Sequence, residues 1–160
     1  MKHRVPMPAK VLGTLGLIPF FIALFSSFHL TLDTLLSNII NTNSAHLQLN
    51  YSIIILCFMA GSFWGFSANA KVQRPFLYII SVLPTLYILG ALLFPSQYQF
   101  IIIGIGFAFL LPIDVYFKLL GMAPLWWLRL RIPLTLTVIT ILILFQFRFF
   151  IATMIGNNFG

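Results

Sequence analysis

The chain has 160 residues, of which 61% are hydrophobic and only 7% charged, with a formal net charge of +7 and just two acids, Asp33 and Asp114. A soluble domain carries about 25% charged residues, so a water-exposed globule is excluded, and a mean hydropathy of +1.05 points to lipid as the solvent. The positive charge does not mark a nucleic-acid binder, because its nine Lys and Arg sit in short clusters between apolar runs rather than on one solvated face.

A bilayer core about 30 Å thick needs roughly 20 apolar residues as helix, and five segments approach or meet that length. The first runs from about residue 11 to 30. Its basic lead, Lys2, His3 and Arg4, also fits a secretory signal, but Gly13, Gly16 and Pro19 inside a long apolar run favour a retained membrane helix. Residues 32–41 follow, with Leu32, Leu35, Leu36, Ile39 and Ile40 at helical spacing between polar residues, the pattern of an interfacial helix or of a water-side extension of the first span. The second span covers 51–70, the third 76–94, the fourth 100–117 and the fifth about 133–151. Helices satisfy their own backbone hydrogen bonds and lipid cannot, so the expected fold is an all-α bundle of five transmembrane helices in one membrane domain spanning 1–160. The connector from Gly121 to Arg131, with Trp126 and Trp127, suits the headgroup layer, where both tryptophans would act as interfacial anchors. Pro133 suits the first turn of the fifth span.

Basic residues set orientation. Lys2, Arg4 and Lys10 precede the first span, Lys71 and Arg74 separate the second and third, and Lys118, Arg129 and Arg131 separate the fourth and fifth. The connectors on the opposite side, 31–50 and 95–99, hold no Lys or Arg, and only Arg148 breaks the pattern. The N-terminus is therefore expected inside and the C-terminus outside.

Ionisable groups within a membrane are costly and mark candidate sites. Asp114, Lys118, Arg129 and Arg131 form an inner-side polar cluster, read first as a structural ion pair around the carboxylate and second as a proton relay or ligand site. On the second span Cys57, Gly61, Gly65 and Asn69 recur every four residues and share a face, with Trp64 beside them. Such small residues let another helix approach closely, within the chain or in a homodimer, while a ligand groove walled by Trp64 is the sharper alternative. Gly104 and Ala108 offer a second mating pair. The lone Cys57 permits no intrachain disulfide. His29, Asp33 and His46 are too few and too scattered for a zinc site, Gly104 and Gly106 lack the rest of a dinucleotide motif, and no metal or cofactor is expected.

Four stretches carry a family resemblance. They are the Gly13 to Phe20 segment with its Pro19, the aromatic-glycine segment from Tyr51 to Trp64 and Gly65, and Ser81 to Pro84. The fourth and most specific is Asp114 followed by Pro124 to Thr135, which holds Trp126, Trp127, Arg129, Arg131, Pro133 and Thr135. The chain resembles a family of uncharacterised bacterial membrane proteins that includes mitochondrial transmembrane protein 69. The resemblance implies a small multi-spanning protein of the bacterial inner membrane, or of the mitochondrial inner membrane in a eukaryote, and no activity.

The leading expectation is a structural or assembly role through helix packing, with the lipid bilayer and a membrane-protein partner or second copy as its contacts. The alternative is a small permease for a neutral or lipid-like solute, favoured if a cavity is lined by Ser62, Asn69 and Asp114. A membrane enzyme using Asp114, Arg129 and Arg131 on an anionic headgroup comes last, because no complete acid–base or nucleophile set is visible.

Overall fold

The computed structural model describes residues 4–70 and 74–157, with side chains described to residue 151 apart from 97 and 149. The described residues form seven α-helices and no strand: α1 (Met7–Leu15), α2 (Ile18–Phe28), α3 (Leu30–Ile40), α4 (Ser44–Ala68), α5 (Pro75–Ala91), α6 (Ser96–Leu119) and α7 (Trp127–Asn157). Four stretches are long and apolar enough to cross a membrane, namely Met7–Phe28, Ser44–Ala68, Tyr98–Leu119 and Trp127–Arg148, while α5 is apolar but shorter. The outer surface carries Phe58, Leu93, Phe109 and Phe147, each more than 60% exposed. Water would not tolerate that surface and lipid does, so this is a multi-pass membrane protein.

Helices α2, α4, α6 and α7 close a ring in which each packs on its two neighbours, and α5 lies outside it against α4 and α6. Phe20, Leu24, Leu56, Phe63, Phe107, Leu110, Phe117, Val138 and Leu142 fill the centre. Lipid tails are as apolar as leucine, so burying these side chains gains little by hydrophobicity alone. Close packing and interhelical hydrogen bonds hold the ring. Helices α2 and α4 pack together, and both bury small side chains, Ala23 and Ser27 on α2 and Ser44 and Ser52 on α4. Among the described glycines, the tightest approach is at Gly106 of α6. A Cβ there would lie 2.9 Å from both Leu56 of α4 and Tyr87 of α5, and the Tyr87 hydroxyl donates to the Ile102 carbonyl of α6 at 2.6 Å.

The chain runs up and down through the bundle, so its cations gather at one end. Arg4 and Lys10 share a groove with Arg129, Arg74 immediately precedes α5, and Lys118 lies in the last turn of α6. At the other end Arg148 stands over the Phe28 ring, 5.8 Å from its centroid. Lys2 and Lys71, with the 71–73 part of the connector between α4 and α5, lie outside the described residues.

Three boundaries differ from expectation. The first span is interrupted. Pro19 lacks an amide hydrogen, the helix breaks between Leu15 and Ile18, and the Tyr51 hydroxyl of α4 donates to the Gly16 carbonyl at 2.9 Å. The second span starts at Ser44 rather than Tyr51, because Asn43 caps it by accepting the His46 amide at 2.9 Å and the Asp33 carboxylate accepts the Ser44 amide at 2.8 Å. The polar residues that looked like connector are partly interior: Gln48 is fully buried. The fifth span starts at Trp127 rather than Pro133. At Gly121, with φ of 71°, α6 ends in a Schellman turn, the Gly121 amide on Lys118 and the Met122 amide on Phe117. The Pro124 carbonyl then accepts the Trp127 amide at 3.0 Å, the next helix begins, and Pro133 lies inside it. Residues 32–41 match α3, a separate helix that starts after extended His29 and stops at left-handed Asn41.

Candidate functional site

On α6 the residues Ile103, Phe107, Leu110, Asp114 and Phe117 fall at alternating three- and four-residue spacing and are all buried. Asp114 thus stands in the core stripe of its helix, fully buried. On α7 the early start puts Trp127, Arg131 and Thr135 one turn apart on one face. That face meets Asp114. The Arg131 Nε donates to Asp114 Oδ2 at 2.8 Å and the Trp127 indole donates to Oδ1 at 2.5 Å. Arg131 Nη1 reaches the Met59 sulfur of α4, and the guanidinium stands 5.8 Å from the centroid of the Trp127 ring. The Trp127 ring in turn packs edge-on against Phe66 at 5.1 Å. A carboxylate and a guanidinium taken from water together, with hydrogen bonds on both, is the arrangement that a low dielectric tolerates.

The inner-side cluster therefore divides. Arg131 pairs with Asp114. Lys118, one turn along from Asp114 on α6, is half-buried and makes no ion pair with it. Arg129 is exposed and lines the separate groove with Arg4 and Lys10. Trp127, expected as an interfacial anchor, also donates to the buried carboxylate from the first residue of its helix. Trp126 stays half-buried beside it.

The small-residue face of α4 is left open within the described chain. A Cβ on Gly61 or Gly65 would meet nothing within 4 Å, and Gly61, Trp64, Gly65 and Asn69 are exposed while Cys57 is half-buried. No helix among the described residues uses the two glycines. Trp64 instead packs edge-on against Tyr78 of α5 at 4.9 Å. The glycines that mediate close approach are Gly106 and, on α1, Gly13, where a Cβ would lie 3.0 Å from Leu134. Gly104 is buried against Leu142, and Ala108 is exposed.

A cavity of 390 Å³ opens beside the ion pair. Helix α1 leans on α7 while α2 leans on α4, so the break at Gly16 leaves a wedge between α1 and α4 at the basic end. Leu12 and Gly13 form one wall and Phe58, Met59 and Ser62 the other. Arg131, Leu134, Thr135 and Val138 of α7 make the floor, with Trp126 and Trp127 at the basic end. Leu12 and Phe58 are 69% and 70% exposed, so the wedge opens sideways, toward lipid. Of the residues named for a permease cavity, Ser62 lines this slot, Asp114 lies behind Arg131 and Trp127, and Asn69 is elsewhere.

Two buried polar atoms on the floor have no protein partner: Arg131 Nη2 and Thr135 Oγ1. Thr137 and Thr140 on the same helix donate back to the carbonyls of Pro133 and Leu136, each at 2.9 Å. Thr135, 2% exposed, does not. Sequence reasoning did not single out Met59, and it met Thr135 only within the family stretch, not as a site residue. The signal for Thr135 is its one-turn spacing from Trp127 and Arg131, which a connector over residues 121–131 hides.

Residues 5–147 match the model of a family described as protein of unknown function (DUF3429). The chain belongs to that family. Neither the curated proteins nor the solved structures contain a match.

Proposed function

We propose that this is a five-span inner-membrane protein that takes a lipid-like molecule from the bilayer into the slot between α1 and α4. The observation that carries the reading is the lateral slot itself, apolar on its walls, open toward lipid and floored by buried polar groups. Its volume lies within the roughly 300–1,000 Å³ of small-molecule sites. In this reading α5 is the third of the five spans, made short by its proline start and its early end at Ala91. The clustered cations support an N-terminus inside and a C-terminus outside, an orientation in which the slot faces the cytoplasmic leaflet. The membrane is the bacterial inner membrane, or the mitochondrial one in a eukaryote, in keeping with the resemblance to the family of mitochondrial transmembrane protein 69.

Filling the slot tests this. Protein extracted in mild detergent should retain a small apolar molecule detectable by native mass spectrometry, and Ser62→Phe, which puts a ring into the wedge, should retain none. Equal retention would refute the slot. Thiol labelling of single cysteines placed at 74 and 97 should report opposite compartments; labelling from one side only would refute the topology.

A specific observation also favours the assembly role. Gly61 and Gly65, unused within the described chain, leave α4 a backbone-accessible strip beside Trp64 to which a helix of a membrane partner or of a second copy would fit. Crosslinking from Gly61→Cys should then trap that neighbour, and a chain that crosslinks to nothing counts against it.

A further inference from the structure

We infer that the slot recognises its ligand by a neutral hydrogen-bond acceptor, a carbonyl oxygen on an apolar molecule, held by Arg131 Nη2 and Thr135 Oγ1. This rests on the binding reading above and goes further, because it names the chemistry of the head.

Three observations converge on it. Both groups are at least 97% buried and both line the slot, and each has a polar atom without a protein partner. Both are donors: a guanidinium has only N–H groups to offer, and a hydroxyl that makes no bond to its own helix has its hydrogen free. Finally, the charge is already balanced. Asp114 lies 2.8 Å from Arg131, so the pair is neutral as a unit. A carboxylate, sulfonate or phosphate entering the slot would bring a third charge with no counterion into an apolar wedge, at a large desolvation cost. A carbonyl accepts the two donors and brings no charge. The walls, Leu12, Leu17, Phe20, Ile55 and Phe58, take the hydrocarbon body, and the open side lets a longer tail run into the bilayer.

An unpartnered buried hydroxyl is a cost to the empty protein. Thr135→Val removes that cost and keeps the shape, so the variant should fold at least as well as the parent when empty. It should bind carbonyl ligands less well. Stability and affinity then move in opposite directions, which a purely structural threonine would not do.

Two sources share this chemistry, the ring carbonyl of a prenyl quinone and the ester carbonyl of an acyl lipid. Decylubiquinone, methyl palmitate and hexadecanesulfonate serve as probes, each titrated against the detergent-solubilised full chain by quenching, or by relief of quenching, of tryptophan fluorescence. The neutral probes should bind at least tenfold more tightly than the sulfonate. Thr135→Val should weaken the neutral probes by about tenfold, the loss of one hydrogen bond, and leave the sulfonate unchanged. Whichever neutral probe binds more tightly names the source. A sulfonate that binds as well as the ester overturns the inference, as does a Thr135→Val affinity equal to the parent's. Ser62→Phe separates the two levels of the argument. If it blocks every probe while the sulfonate wins, only the head chemistry fails. If it blocks none, the slot itself fails.

Discussion

The two acids of the chain sit at opposite ends of the bundle and are satisfied in different ways. Asp33, half-buried on α3, accepts the backbone amide of Ser44 and helps to start α4. Asp114, fully buried on α6, takes an indole and a guanidinium from α7. Where solvent reaches, a carboxylate needs only a nearby amide and fixes a local turn. Where it does not, the carboxylate requires a countercharge from another helix, and it therefore fixes how α6, α7 and, through Met59, α4 stand against each other.

The largest effect is expected at Asp114. Asp114→Ala strands Arg131 without a countercharge and should cost about 3–5 kcal/mol of unfolding free energy in mixed micelles. Replacing both partners, Asp114→Leu with Arg131→Met, should restore most of that stability, because two charges leave the interior together. The double variant would still lose carbonyl binding. Asp33→Ala should cost only about 1 kcal/mol, the worth of a helix cap, with the loss confined to the start of α4 in hydrogen exchange. Comparable losses for Asp33 and Asp114 would mean that the ion pair has no special weight.

Much of the architecture was legible from hydropathy, because a span needs length and apolarity and both are local properties. The helical character of residues 32–41 was legible from local spacing, and Asp114 stood out as an acid within an apolar run. Arg131 was legible as one of three candidate cations for Asp114, but not as the one that pairs with it. Pro133 and the tryptophan-rich segment before it read as a headgroup connector, yet a proline can lie inside a membrane helix when its surroundings compensate, and Gly121 and Pro124 had already made the turn. That earlier start rotates Trp127, Arg131 and Thr135 onto one inward face. The glycines teach a related lesson. Gly61 and Gly65 have the spacing of a packing motif, yet a Cβ on either would meet no described neighbour, whereas Gly106, which has no such pattern, lets three helices come together. Spacing tells which residues share a face but not whether a neighbour covers it.

The slot is the claim on which the functional account turns, and its most direct test is an experimental structure of the chain in lipid nanodiscs loaded with methyl palmitate. Elongated density is expected between α1 and α4, its head within hydrogen-bonding distance of Arg131 Nη2 and Thr135 Oγ1. A structure in which α1 closes onto α4, with Thr135 bonded back to its own helix and no density between, would contradict it.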